Sequence, residues 1–410
     1  MKIFKKIAIF AIILTFVPLF WGCSSGSTSL IITAKPNKIV YEIGEKFDYS
    51  GLSVESYNSD GTNTKVLLKE DEISAVDTST SGEKTVTITK GNLSTTFTIY
   101  VASKVVSSKD DIKPAITSSA DGDIIYIKQG EYKPDSETDE SLYNIVINKK
   151  LTIVGDGAKK TIIHGNFLVG ARDEGGNFLP MESFEDFKLI NVGMKLNYTI
   201  KDRYLSYEGP YQKYDVFGAI KTFDSQKIFV SNCSFSGYSY AINATNISGL
   251  TLVNNMFRDI KINAVKVTNS IKNSVMTKNS FMDIGSSSLV MENSKQGNVG
   301  ALFLSFKDSG NAGIIVASNT FVRTGLISGS LNYVSNGADE LELDNKNSLT
   351  SGSYVNNSAI IFLVSTGQNN LDASGIIFAS NNFGTALKNI AFNTTQENFI
   401  NQTGVIIIEG

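Results

Sequence analysis

Between Ile228 and Phe383 the apolar and polar positions of this chain fall into one phrase that returns five times: apolar-x-apolar, a few small polar residues, then Phe. The copies are IFVSNCSF ending at Phe235, LTLVNNMF at Phe257, SVMTKNSF at Phe281, IIVASNTF at Phe321 and IIFASNNF at Phe383. Successive phenylalanines lie 22, 24, 40 and 62 residues apart, so a short rung recurs and some rungs carry long insertions. Two places before each stand Cys233, Asn255, Asn279, Asn319 and Asn381. If each copy is one turn of a coil, those side chains stack about 4.8 Å apart, the spacing of hydrogen-bonded strands. An Asn amide both donates and accepts, so a column of them hydrogen-bonds along the stack as a backbone does. The Phe column beneath is then buried aromatic stacking, and the alternation before it separates inward from outward faces. A short repeat built this way predicts an all-β solenoid. A leucine-rich repeat has the same period, but its dense Leu lattice is missing. An Asn-rich β-sandwich is the plainer competitor.

Ahead of the repeats, Leu30 to Val101 alternates in short runs broken at Asn-Ser-Asp-Gly and Ser-Gly, which predicts a β-sandwich over 30–102. A short helix with a Ser or Asp cap is expected within 103–120. A solenoid from 121 to 410 would have about nine coils and rise about 40 Å at the strand spacing. Its open end must be covered, because it otherwise exposes apolar interior and unpaired strand backbone.

Residues 1–23 join Lys2, Lys5 and Lys6 to an apolar run from Ile7 to Phe20 and then Trp-Gly-Cys, the pattern of an export signal. The Gly22-Cys23 junction resembles the lipobox of bacterial lipoproteins, which implies cleavage before Cys23 and lipidation of its sulfur. Phe20 and Trp21 depart from the small and aliphatic residues usual there. An uncleaved anchor is the alternative, but the run is shorter than the roughly 18 residues that span a bilayer. Residues 24–29 then form a flexible leader, and the expected location is exported and membrane-anchored through the lipid, at the outer membrane or cell surface.

A net charge of −3 with scattered Lys and Arg excludes a nucleic-acid partner from the expectation. With two cysteines and one histidine, a Cys/His metal cluster is not available. Cys233 reads as a small buried filler at an Asn position. His164, in TIIHGN, reads as a turn residue, with no Ser or Cys nucleophile context around it.

Two resemblances sharpen the picture. Tyr41, Gly44, Glu45, Phe47, Asp48, Ser50, Gly51, Leu52 and Val54, with Asp77, Thr78, Ser79 and Gly82, resemble the group 3 bacterial immunoglobulin-like domains. That resemblance implies a spacer or adhesive module without catalytic residues. The order helix, GDIIYI, GEY, LTIVG, together with the Asn-Phe phrase, resembles the pectin-lyase-like right-handed, single-stranded parallel β-helix, whose N-terminal helix plugs the open end. In that fold the groove usually lies beside the strand that follows the loop after the Phe rung.

Three features sit there. The loop from Asn197 to Asp215 carries Tyr198, Tyr204, Tyr207, Tyr211 and Tyr214 with Lys201, Arg203 and Lys213. Its rings suit sugar faces and its cations uronate or sulfate, though the tyrosines are equally able to pack their own loop. Two places after successive Phe stand Asp259, Asp283 and Arg323, flanked by Arg258 and Lys261. Stacked carboxylates about 5 Å apart suit two-carboxylate glycoside chemistry, a Ca²⁺ ion, or, with the cations, removal of a proton α to a uronate. Asp is also a common turn former. The insertion from Gly329 to Asn356 holds Asp339, Glu340, Glu342 and Asp344, a solvated acidic loop or a weak Ca²⁺ site without EF-hand spacing.

The Trp-x-Asp-His of pectate lyases, the Gly-His-Gly and Arg-x-Lys of polygalacturonases and the Gly-Arg-Pro-Trp of pectin methylesterases are all missing. No catalytic set of the fold transfers, and fold alone does not grant function. The expectation is a lipoprotein whose β-helix binds polysaccharide or another surface glycan, without a resident cofactor. The alternatives are a polysaccharide lyase or glycoside hydrolase acting on acidic glycans, and a non-catalytic adhesin or structural surface protein.

Overall fold

The computed structural model describes residues 27–136, 139–170, 184–196, 218–260, 263–284, 300–306, 313–324, 332–335, 341–344, 358–364, 376–382, 388–392 and 405–408. The chain divides into two compact units: residues up to 37 with 49–75 and 85–97, and residues 38–48 and 76–84 with everything from 98 onward.

In the first unit Ser27–Ala34 pairs antiparallel with Ser53–Asn58, which pairs antiparallel with Asn63–Val66. The Asn-Ser-Asp-Gly stretch turns as its residues dictate: Asp60 Oδ1 accepts from Thr62 N at 2.9 Å and Gly61 takes a φ of +82°. Gly51 takes a φ of +87°, the left-handed region that favours glycine, and a Cβ there would also crowd the Asn37 amide. In the second unit Val40–Tyr41 pairs parallel with Tyr100 and Val101. The motif residues of the second unit hold loops: the Tyr41 hydroxyl donates to Asp48 O at 2.9 Å, and Asp77 Oδ1 accepts from Ser79 N at 2.8 Å.

The rest of the second unit is a parallel β-helix with three faces. Its first face runs through Ile145–Ile147, Phe167–Val169, the start of Gly218–Ser231, Tyr240–Ser248, Asn263–Lys272, Gly300–Phe306, Ser358–Val364 and Lys388–Phe392. The second runs from Ile124–Ile127 through Thr152–Gly155, Phe184–Ile190, the end of Gly218–Ser231, Thr251–Val253, Val275–Thr277, Ile314–Ala317 and Ile376–Ala379 to Val405–Ile408. The third holds Gly130–Tyr132, Thr161–Ile163, Gly193–Lys195, Ser234–Ser236, Met256–Ile260, Ser280–Ile284 and Thr320–Thr324.

The repeated phrase spans the corner between the second and third faces. Phe235, Phe257, Phe281 and Phe321 stack in register with centroids 5.1, 4.9 and 4.8 Å apart and planes within 8° of parallel. Phe383 lies outside the described residues. Asn255, Asn279, Asn319 and Asn381 form the expected ladder. The Nδ2 of Asn255, Asn279 and Asn319 each donates upward to the next Oδ1 at 3.0 Å, and the backbone N–H of Cys233, Asn255, Asn279 and Asn319 each donates to the Oδ1 above it at 2.9–3.0 Å. Each Nδ2 also donates sideways, to Val230, Leu252, Met276 and Val316 O at 2.8–3.0 Å. Cys233 is the foot of the column, its Sγ 3.4 Å from Leu189 O, the carbonyl that an Asn would take. The residue before each ladder position is left-handed, with φ of 53–57° at Asn232, Asn254, Lys278, Ser318 and Ser380. One such residue is enough to bend a strand sharply, and Asn tolerates it best of the side chains used.

The helix at Lys109–Thr117 covers the lower end: the Ser108 hydroxyl accepts from Asp110 N, and Ile112 and Ile116 join the β-helix core. Lys149, from the second coil, donates to Thr117 O and Ser119 O at 2.7 and 2.6 Å, satisfying carbonyls that the helix C-terminus leaves open. Within the same unit Ile39, Val40, Tyr100 and Ala102 form one buried cluster with Ile124, Tyr126, Val154 and Ile190 of the second face.

Candidate functional site

The starts of the first-face strands, Gly218, Tyr240, Asn263, Gly300 and Ser358, fall in one register row. The segments ahead of them therefore all turn one corner, from the third face to the first. Two are short, 237–239 and 261–262; three are long, 197–217, 285–299 and 325–357. The last includes an antiparallel pair, Asn332–Ser335 with Leu341–Asp344, which places Glu342 and Asp344 on strand backbone. The coils with short corners are thus bracketed by those with long ones. Ala219, Ala241, Ala264 and Ala301, each the residue after a member of that row, are all buried, with side chains small enough to repeat coil after coil.

Of the residues singled out from the sequence, Cys23, Tyr198, Lys201, Arg203, Tyr204, Tyr207, Tyr211, Lys213, Tyr214, Lys261, Asp339 and Glu340 lie outside the described residues. Arg323 is on the Thr320–Thr324 strand, with its side chain also outside them. Asp259 and Asp283 are described, and their conformation explains their place in the column. Both are left-handed, at φ 56° and 54°, and the equivalent residue one coil below Asp259 is Gly237 at φ 83°. This bend brings Ile260 and Ile284 back inward, in register with each other and with Thr324. Asp is among the few side chains that adopt this backbone readily, so the local fold by itself accounts for a carboxylate here. Asp259 is exposed, and Asp283 is brought to Arg258, whose Nε stands 3.8 Å from Asp283 Oδ2. With Arg258 63% exposed, solvent screens that ion pair heavily.

On the other side of the corner the structure assembles a pair that the sequence reading passed over. Lys266 Nζ sits 4.7 Å from the centroid of the Tyr240 ring and 3.4 Å from its hydroxyl. Burial lowers the pKa of Lys266 and raises that of Tyr240. Lys266 is the third of a row of outward polar residues on consecutive coils, Lys221, Asn243 and Lys266, each between inward apolar or small neighbours. Beside this row the hydroxyls of Thr245 and Thr268 bond at 2.9 Å. The signal was present in the chain: polar residues 22 and 23 apart, flanked by Ile220 and Thr222, Ile242 and Ala244, Val265 and Val267.

A second cluster lies lower on the third face. His164 is buried, its Nε2 2.8 Å from Glu131 Oε1, while Glu131 Oε2 meets Lys133 Nζ at 2.8 Å. Burial lowers the His164 pKa, with Glu131 opposing and Lys133 and Lys195 adding to the shift. Its Nδ1 is buried without a hydrogen-bond partner among the described residues. Among the described residues no group of three or more His, Cys, Asp and Glu is arranged to hold a metal ion. Nor is any helix among them long and apolar enough to cross a membrane.

Residues 34–101 match the family described as bacterial Ig-like domain (group 3). A curated relative, Pectate lyase L of Thermoclostridium stercorarium, is 36% identical over 78 residues, which are 19% of this chain and 6% of that protein. Among solved structures, a pectin methylesterase in complex with hexasaccharide VII has a TM-score of 0.38 and 11% identity, covering 74% of this chain and 96% of that one. The catalytic domain of a GH87 α-1,3-glucanase in complex with tetrasaccharides has a TM-score of 0.33 and 14% identity, covering 90% of this chain and 76% of that one. The β-helix assignment rests on the strand register of the chain itself rather than on these likenesses.

Proposed function

We propose that this chain is an exported lipoprotein, anchored through Cys23, whose β-helix binds polysaccharide on its first face, beside the corner where the long insertions gather, with the Ig-like domain as spacer. The observation that carries the reading is Lys266, held against the Tyr240 ring and in register with Asn243 and Lys221. An ammonium held against an aromatic ring, with an amide and hydroxyls on neighbouring coils, offers the mixture of charge and directional hydrogen bonds that a sugar chain takes. The tyrosines of the 197–217 insertion, which leads into this face at Gly218, would add stacking surfaces.

Affinity electrophoresis of the purified chain in gels containing acidic and neutral polysaccharides tests the reading. Retention that falls in Lys266→Met, with an unchanged melting curve, supports it; mobility unaffected by any glycan refutes it and leaves an adhesin for protein or a structural role. Replacing Cys23 by Ser should move the chain from the membrane to the soluble fraction, and persistence at the membrane refutes the lipid anchor.

A lyase or hydrolase is favoured by one observation, the approach of Arg258 to Asp283 on the neighbouring coil. It would use Asp259, Asp283, Arg258 and Lys261, with Ca²⁺ as an alternative partner of the carboxylates. Incubation with acidic glycans, followed by ultraviolet absorbance of unsaturated products and by new reducing ends, decides it. A full panel without either product excludes turnover.

A further inference from the structure

We propose that the upper coils of the second face pair transiently with the same coils of a second copy of this chain, laid antiparallel. The inference is independent of the polysaccharide reading. Two outward rows climb this face, one on each side of the buried column Leu189, Val230, Leu252, Met276 and Val316. On the lower coils Ile124, Tyr126, Val154 and Ile190 are buried against Ile39, Val40, Tyr100 and Ala102, and Phe229 packs on the same cluster. Lys188, paired with Glu83, is the last charge in either row. Above Phe229 one row reads Thr251, Val275, Ile315, Ile377 and the other Val253, Thr277, Ala317, Ala379. None of these is buried, and Ile315 and Ile377 are each 37% exposed. An outward row left to solvent reads differently: on the third face Lys195, Ser236 and Arg258 follow one another.

A parallel sheet is ordinarily covered on both sides, and this one is, as far as Phe229. The strip above continues the covered rows without a break, so its occupant has the same character as the cover below, uncharged and apolar. Among the described outward rows only this pair is both uncharged and mostly apolar over four coils, which makes a second copy its match. The covered coils set the direction. A parallel copy would bring its own cover to the same level and hold the strips apart, whereas an antiparallel one carries its cover past the Val405–Ile408 strand. A two-fold axis along the strands, between the Val275 and Ile315 coils, sets Ile315 of each copy over Val275 of the other and Ile377 over Thr251. Ala317 and Ala379 then meet Thr277 and Val253, so each bulkier side chain faces a smaller one. Four coils of three residues span about 19 Å by about 10 Å. That is well short of the roughly 800 Å² per partner of a lasting complex, so the pairing is weak.

Sedimentation velocity of the purified chain, from micromolar to millimolar concentration, reads the association. A mean mass that climbs toward twice the monomer, with a Kd at least about tenfold weaker in Ile315→Lys, supports the proposal. A monomer at every concentration overturns it and leaves the strip to an unlike partner; a dimer that a folded Ile315→Lys leaves as tight overturns it too. Direction is read without any charged variant. In a Cys23→Ser background, equimolar Thr251→Cys and Ile377→Cys chains are oxidised together, the buried Cys233 taking no part. Antiparallel pairing yields the mixed disulfide in excess of either homodimer. Homodimers in excess, or no cross-link beyond that of the Cys23→Ser parent, overturns the proposal.

Discussion

Asn279 is the rung at which the ladder can be broken most informatively. Its Oδ1 accepts from Asn255 N and Asn255 Nδ2, both at 3.0 Å, and its Nδ2 donates to Leu252 O and Asn319 Oδ1, both at 3.0 Å. In Asn279→Ala, Asn255 Nδ2 keeps Val230 O and Asn319 Oδ1 keeps the residue-279 N–H, but Asn255 N–H and Leu252 O lose these partners inside the core. At about 1–3 kcal/mol for each buried group so stranded, the loss is about 2–6 kcal/mol. Asn279→Asp is a sharper probe because it keeps the accepting oxygen and turns the other into an acceptor facing two acceptors. The introduced carboxyl can donate there only when protonated, and burial favours that same neutral form, so its folded pKa must stand above the unfolded value of about 3.9. Its folded state then binds the proton more tightly, and the variant's stability is greatest below the unfolded pKa and lost as pH rises through the folded one. Guanidinium denaturation at neutral pH and near pH 4 reads both effects. An Ala variant within about 0.5 kcal/mol of the parent, or an Asp variant whose deficit does not change with pH, would refute the account of the ladder.

Three further outcomes follow from particular residues. Burial pushes the Cys233 thiol up to about 12, so in a Cys23→Ser chain a thiol reagent at neutral pH should label nothing until denaturant is added; rapid labelling of the folded chain contradicts this. At position 259 the left-handed backbone should make Asp→Ala cost about 1–2 kcal/mol, while Asp→Gly stays near neutral; equal melting temperatures for the two variants would show that the bend is not what selects the residue. His164 has a folded pKa below its unfolded value of about 6.5, so its contribution to stability should fall as pH drops through that value and level off below the folded pKa. A His164→Gln chain should lack this inflection, and an unchanged pH profile would show that another group is responsible.

The ladder and the Phe stack were legible because both are fixed by sequence offset: an amide two places before an aromatic, repeated, has few other ways to be satisfied. Cys233 was legible for the same reason, as the one position where the phrase departs. The corner holding the insertions was readable in part, since the 285–299 and 325–357 insertions begin just after a Phe rung, whereas 197–217 follows a coil with Met194 in the Phe column. Asp259 and Asp283 were visible as a column, but their common φ was not, and it is the backbone that accounts for their recurrence locally. The Lys221–Asn243–Lys266 row keeps the coil period yet has no shared residue type to announce it. His164 and Glu131 meet across an irregular early coil, where Ile162 pairs with Glu131 31 residues before it, outside the short period. The packing of Ile39 and Tyr100 with Val154 and Ile190 joins segments with no common pattern at all.

The Phe stack advances by nearly the same step at every rung, whether the intervening chain is 22, 24 or 40 residues long. Each ladder amide deals only with the rung above, the rung below and one carbonyl at its side. Such a protein is countable: its core grows in whole rungs. Excising residues 255–278 would join Asn254 directly to Asn279 and return every later side chain to the direction it had before. Slippage between gene segments of that length would shorten or extend the molecule while leaving its cross-section unaltered, so close homologues should differ by integral coils far more readily than by fractions of one.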